Sequence, residues 1–216
     1  GYKTLGVFQS EKQIAEYTGA KLSGTAPGDL IFADTNKDGV IDDKDKCMIG
    51  NPHPDVTMGL TLNFGYKGFD LGITTNAVFG NQIAKSYRSF TDQPKENYTT
   101  DILGRWHGEG TSNRLPRVAS GTNVNWLYIS DIFIEDGDYF RIQNVTLGYD
   151  FKKLFPRMPL GQARLYVTAQ NLATFTKYSG MDPEIGYGAD KSWVSGIDVG
   201  FYPSPRTYMI GVNLKF

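Results

Sequence analysis

The stretch VTMGLTLNFGY, residues 56–66, decides the fold. Val56, Met58, Leu60, Leu62, Phe64 and Tyr66 fall on one side of an extended chain, and Thr57, Gly59, Thr61, Asn63 and Gly65 on the other. An unbroken period of two predicts a long β-strand with one apolar face and one small, polar face. Lys67-Gly68 follows, a two-residue turn signal. FDLGITTNAVF then repeats the pattern: Phe69, Leu71, Ile73, Ala77 and Phe79 share a face with Thr75, while Asp70, Gly72, Thr74 and Asn76 lie opposite and Val78 departs from the rule. The two segments are expected to pair as a hairpin with matched faces.

The same signature recurs outward from this hairpin. In RTYMIGVNLKF, Tyr208, Ile210, Val212, Leu214 and Phe216 form an apolar row, opposed by Thr207, Gly211, Asn213 and Lys215 with Met209 among them. DYFRIQNVTLGYDF and ARLYVTAQNLATF supply two more candidates, the first with a phase change near Gln143–Val145 that predicts a bulge. Strands are therefore expected at 56–66, 69–80, 138–151, 163–175 and 206–216. The connections alternate: 67–68 and 152–162 are short, whereas 10–55, 81–137 and 176–205 are long. In an up-and-down sheet every second connection lies at the same end, so all long loops fall on one side. Outer-membrane barrels have that asymmetry. A soluble sandwich also alternates, but with strands of ~5–6 residues and mixed loops. Five strands are too few for a barrel, which starts at ~8, so the chain is expected to end a larger one.

Composition narrows the alternatives. A chain of 216 residues holds one large domain or two small ones. A net charge of −1 gives no electrostatic footprint for nucleic acid and no acidic excess for disorder. With 13 Tyr, 13 Phe and 25 Gly, the composition favours β structure with many turns. Cys47 is the single cysteine, which rules out an internal disulfide. No run of roughly 18 apolar residues exists to make a transmembrane helix, but a spanning strand needs only ~9–11 residues and alternates. The chain opens on Gly1 with no signal peptide and reads as the interior and end of something longer.

DTNKDGVIDDKD, residues 34–45, has the oxygen-ligand spacing of an EF-hand loop. Asp34, Asn36 and Asp38 occupy positions 1, 3 and 5, Gly39 the sharp turn, and Val40 the carbonyl position. Asp42 would bind directly or through water, and Asp45 stands at position 12 in place of the usual Glu. Ile41 would anchor the loop. The expected ion is a structural Ca²⁺, since many oxygens in a flexible loop suit the larger cation. The flanks do not offer two paired helices, so the ion would staple a long loop and not work a switch.

Several of these segments together resemble one family. GYKTLGVFQSEKQIAEY, PGDLIFADTNKDGVIDDKDKCMIGNPHPDVTMGLTLNFGYKGFDL, DYFRIQNVTLGYDF, LYVTAQNLATFTKYSGMDPEI and GIDVGFYPSPRTYMIGVNLKF look like the C-terminal part of a SusC/RagA-type TonB-linked outer-membrane transporter, in order and over nearly the whole chain. The resemblance implies an all-β fold: C-terminal strands of a 22-stranded transmembrane antiparallel barrel with long extracellular loops. It implies import of oligosaccharides or peptides through the outer membrane of a Gram-negative bacterium. A SusD-like surface lipoprotein would be the lid partner, and TonB would act through an N-terminal part absent from this sequence. No organic cofactor and no enzymatic reaction are implied. The row Tyr208, Ile210, Val212, Leu214 and Phe216 resembles the signal read by the barrel-assembly machinery. Outer-membrane lipid would face the apolar rows.

No catalytic set emerges. His53 and His107 lack partners at metal spacing, and Asp182 and Glu184 read as loop structure. Trp106, Trp126, Trp193 and Tyr187 lie in long connections, where they could stack on a sugar, meet a lid protein, or hold the loops together. The alternative to a transporter is a secreted calcium-dependent β binding module of adhesin or assembly type.

Overall fold

The computed structural model describes residues 1–86, 100–119, 124–184 and 195–216. Along the chain run β1 (Thr4–Val7), α1 (Glu11–Glu16), β2 (Leu30–Phe32), β3 (Val56–Tyr66), β4 (Phe69–Phe79), β5 (Gln82–Lys85), α2 (Val124–Leu127), β6 (Ile134–Asp136), β7 (Tyr139–Asp150), β8 (Gln162–Thr176), β9 (Ile197–Asp198) and β10 (Thr207–Lys215). They divide into two compact units.

One unit comprises Pro52–Gln82, Asp136–Gly196 and Gly200–Phe216. It is a five-stranded antiparallel sheet in the order β10-β8-β7-β4-β3. The β3–β4 hairpin closes at Lys67 (φ 47°) and Gly68 (φ 94°). Positive φ at both central residues is the type I′ turn, whose twist matches that of the paired strands. Its register joins Tyr66 to Phe69, Leu62 to Ile73 and Val56 to Phe79, so apolar residues face apolar residues along the ladder. β4 pairs with β7 through Leu71↔Leu147 and Ile73↔Val145, then slips by one residue, because Gln143 is extra. That bulge explains the phase change in the sequence. The slip grows toward β8, where Asn144 pairs with Gln170 but Ile142 pairs with Ala173, and Asn171 takes φ 52°. The added residues bend the strands and raise the local twist, as barrel walls require.

Both short connections leave from one end of this sheet. Asp150 N–H donates to Gly68 O (2.8 Å), and Gly161 N–H donates to Lys215 O (2.6 Å). Phe79, Tyr139, Thr176 and Thr207 lie at the opposite end, where the long connections depart and return. There Gly80 N–H donates to Asp138 Oδ1 at 2.6 Å.

The other unit comprises Gly1–Asn51, Ile83–Glu135 and Ile197–Val199. Much of this lies in stretches that read as long loops from sequence, yet it carries a core of its own. Tyr2, Val7, Leu30, Phe32, Ile41, Trp126, Ile132 and Phe133 are buried together. β1 pairs antiparallel with β2, and β5 lies between β6 and β9. Ser10 caps α1 by accepting from Gln13 N–H. Distant segments are tied by polar groups: half-buried Thr4 N and Oγ1 donate to Asp131 Oδ1 (3.1 and 2.6 Å), and buried Leu30 N donates to Asn125 Oδ1 (2.7 Å). Asp29 accepts from Asn125 Nδ2 (2.7 Å) and Arg117 Nε (2.8 Å). These contacts join residues far apart in sequence, so no local periodicity announces them.

Candidate functional site

The sheet presents two unlike faces. Its register aligns Phe64, Leu71, Leu147, Val167 and Ile210 in one row across the five strands, and Tyr66, Phe69, Tyr149, Leu165 and Val212 in the next. Most of these side chains are open: Phe64 is 56% exposed, Ile210 74% and Val212 62%, while Leu71 and Tyr149 are half-buried. An apolar face this continuous and this exposed is an interaction surface, far larger than the patches soluble monomers tolerate. Aromatic rings mark both its margins. At the short-turn end Phe69 packs on Tyr149 (centroids 4.5 Å apart) and Tyr149 on Phe151 (5.2 Å). At the other end Phe140 packs on Phe175 (6.2 Å). From Phe69 to Phe79 the strand climbs ~33 Å at ~3.3 Å per residue, or ~25 Å along the normal at a barrel's tilt. That is the height of the apolar band of an outer-membrane barrel.

The opposite face is polar and built around glycine. Arg164 Nε donates to Asp70 Oδ1 at 2.8 Å, from β8 to β4, across β7. Gly148 lies on β7 between them, where a Cβ would collide with both side chains. Thr146 and Thr168 hydroxyls meet at 2.9 Å, and Thr61 donates to Thr74 at 3.5 Å. Nearer the long-loop end, Arg141 is 3% exposed and fully engaged. Its Nε donates to Thr174 Oγ1 (2.9 Å), Nη1 to Glu184 Oε2 (2.6 Å) and Nη2 to Asp182 Oδ1 (2.5 Å). Asp182 also accepts from Ser204 N–H (3.2 Å), which binds two loops to the strand face. A cavity of about 350 Å³ opens beside this cluster, with Asn171, Met181 and Arg206 among its walls. Sequence reading assigned Asp182 and Glu184 to loop structure but missed Arg141, their partner some forty positions away.

The acidic loop belongs to the other unit, and Ile41 anchors it in that core. Asp34 accepts from Asp38 N–H (3.2 Å) and Gly39 N–H (2.8 Å), Asn36 Oδ1 from Asp38 N–H (3.0 Å), and Asp38 from Val40 N–H (3.0 Å). Asp45 is 0% exposed. Its Oδ1 accepts from Thr35 N–H (2.8 Å) and its Oδ2 from Asp42 N–H (2.9 Å). The hydrogen bonds from Asp42, Thr35 and Asn36 backbone hold this carboxyl below the usual range, outweighing burial. Asp42 and Asp45 form a capping box on a single 3₁₀ turn, residues Asp43–Asp45. Asp43 is held low by Lys46 (2.8 Å) and by the Tyr2 hydroxyl (3.2 Å), while burial and then Asp43 push Tyr2 up to about 12.

This arrangement is not a closed cation cage. Among the described residues no group of three His, Cys, Asp or Glu side chains converges as metal ligands would. Asp45 is turned to the loop's own backbone, and the Lys44 ammonium stands 3.9 Å from Asp38 and 3.8 Å from Asp42. Asp34, Asn36 and Asp38 are held together by hydrogen bonds from Asp38 N–H to Asp34 and Asn36 and from Asn36 Nδ2 to Asp38.

Of the loop aromatics, Trp126 is 3% exposed in the core and packs on Phe133, so its ring has no face for a ligand. Trp106 is half-buried, its Nε1 bonded to Gln9 Oε1 at 3.1 Å. Trp193 and Tyr187 lie outside the described residues. Tyr208, Ile210, Val212 and Leu214 form the exposed apolar row of β10, with Phe216 just beyond the strand.

The chain is similar to TonB-dependent receptor P3 of Formosa agariphila, 37% identical over all of this chain and 22% of that protein. It is 35% identical to TonB-dependent receptor SusC of Bacteroides thetaiotaomicron, over 88% of this chain and 18% of that one. Its fold matches the RagAB peptide importer in the closed-closed state with a TM-score of 0.69 at 22% identity, over all of this chain and 22% of that one. No protein-family profile matches it. The chain thus spans about a fifth of the length of the curated relatives it matches.

Proposed function

Since this chain belongs to the SusC/RagA-type TonB-dependent transporters of the Gram-negative outer membrane, we propose that it builds part of the wall and extracellular loops of an importer. The single observation that carries this reading is the open apolar face, aromatic at both margins, backed by a polar face. Lipid covers the first and the aqueous lumen meets the second. The cargo is a solute of the oligosaccharide or peptide class; RagAB, whose fold this chain shares, is a peptide importer. A SusD-like lipoprotein closes over the long-loop end, and TonB supplies the work through parts of the protein outside this chain. The relatives are TonB-dependent receptors and a peptide importer, and the polar face carries ion pairs engaged in structure.

The apolar row of β10 suits recognition by the barrel-assembly machinery through strand addition. We also propose that loop 34–45 takes Ca²⁺ on Asp34, Asn36, Asp38, Asp42 and the Val40 carbonyl. The spacing supports it; Lys44 must first yield its place, and Asp45 serves by shaping the loop.

The test is uptake in cells expressing the full chain. Labelled oligosaccharides and peptides are offered with TonB intact or deleted. Entry that needs both the full chain and TonB is the expected result. Entry unchanged without either overturns the importer reading.

A further inference from the structure

The short-turn end of the sheet carries exposed cations: Lys67, Lys153, Arg157 and Lys215. The nearby acids are engaged: Asp70 by Arg164, and Asp150 by the backbone N–H of Lys152 (3.0 Å) and Ala163 (3.3 Å). At the long-loop end the described exposed charges are mixed: Asp55, Asp136 and Glu184 occur there with Lys177 and Arg206, and Glu184 is engaged by Arg141.

The short-turn cations stand at the margin of the apolar face. Lys67 Nζ lies 5.2 Å over the Tyr66 ring, and Lys153 and Tyr149 both close on Gly68. Residues 151–158 fold into a compact turn, with Phe155 N–H donating to Phe151 O (2.8 Å) and Met158 N–H to Phe155 O (3.0 Å). That turn sets exposed Leu154 and Phe155 between Lys153 and Arg157. Apolar side chains interleaved with cations at a membrane margin are the chemistry of an interfacial lipid contact: the stems lie in acyl chains and the charged ends reach phosphates.

Resting on the membrane reading above, we propose that this rim docks on anionic phospholipid headgroups of the leaflet that meets the short turns. Charge complementarity selects the occupant, because the cations are exposed, clustered and beside the aromatic margin. A zwitterionic headgroup carries its own cation and would gain little from this rim.

The experiment reconstitutes the full chain in bilayers of phosphatidylcholine. Spin-labelled phosphatidylglycerol or phosphatidylcholine is added, and electron paramagnetic resonance gives each lipid's association with the protein boundary. Wild type is expected to favour phosphatidylglycerol. The triple variant Lys67→Gln, Lys153→Gln, Arg157→Gln should lose about fivefold of that preference for each charge in contact with a headgroup. Lys177→Gln with Arg206→Gln, at the other end, should leave it unchanged. Heat-shifted gel mobility confirms that each barrel is folded. Equal association of the two lipids with wild type overturns the proposal, as does a preference that survives the triple variant. A protein that restricts no lipid overturns the membrane reading itself, and this proposal with it.

Discussion

Asp70 and Arg164 clasp each other across an intervening strand, and the strand between them carries Gly148 where they meet. The pair is a gauge of what the polar face touches. Asp70 is 43% exposed at its side chain, and an ion pair wetted on one side contributes ~1 kcal/mol or less. Breaking a pair in a dry interior would cost ~3–5 kcal/mol. A double-mutant cycle with Asp70→Ala and Arg164→Ala, read by unfolding of the full chain in detergent, should give a coupling at or below ~1 kcal/mol. A coupling of several kcal/mol would mean that this face is a sealed core. Gly148→Val should cost more than either, ~1–3 kcal/mol, since its side chain needs the space the bridge occupies.

The neighbouring pair Ile73 and Thr74 tests the other face. They are adjacent on β4, and their partners Leu62 and Thr61 put them on opposite sides of the sheet. Ile73→Arg places a cation near mid-height of the apolar band and should destabilise by ~2–4 kcal/mol. Thr74→Arg enters the polar face and should assemble normally. Unfolding in lipid and surface abundance report both. Equal tolerance of the two substitutions would sink the assignment of faces.

The strands were legible because each side chain's face is written into its position. Val56 to Tyr66 alternates without exception and forms one strand, and Gln143 betrayed its bulge by shifting the phase of the row behind it. The second compact unit was not legible. Thr4 meets Asp131 and Leu30 meets Asn125, pairs that no window along the chain can contain. Trp126 illustrates the consequence: composition placed an aromatic in a long connection, and only the fold shows it filling a core. At the acidic loop the spacing revealed which side chains are polar and near, but not that Asp45 turns inward to the backbone.

Asp45 sets the acid sensitivity of that loop. Its carboxyl is held below the ordinary ~3.9 by backbone N–H donors, and Asp43 is likewise held low by Lys46 and Tyr2. A depressed folded value contributes stability that is complete above the unfolded value and lost as pH falls through the folded one. The loop should therefore be tight at neutral pH and loosen only below about 3.9. Amide exchange at Thr35 and Asp42 reads the change. Asp45→Asn retains the shape but keeps only one acceptor oxygen and turns its amide NH2 toward the other N–H group, so exchange at one of Thr35 and Asp42 should be faster at every pH. Protection that is unaffected by acid and by this substitution would show that the loop is held by other contacts.

Lys44 is the internal competitor for any divalent ion at residues 34–45. Its ammonium lies within 4 Å of both the Asp38 and Asp42 carboxylates, where it supplies some of the positive charge a cation would bring. Lys44→Ala should leave those two acids facing each other and strengthen calcium binding by about tenfold, from the loss of one competing charge in a largely exposed loop. Asp34→Ala with Asp38→Ala should abolish it. Calorimetric titration of the full chain with calcium, with magnesium in parallel, separates the outcomes. Binding tightened by Lys44→Ala and selective for calcium supports the cation loop. If neither wild type nor Lys44→Ala takes up calcium, the acidic residues serve only as acceptors for their own backbone, and chelators should leave proteolysis of the loop unchanged.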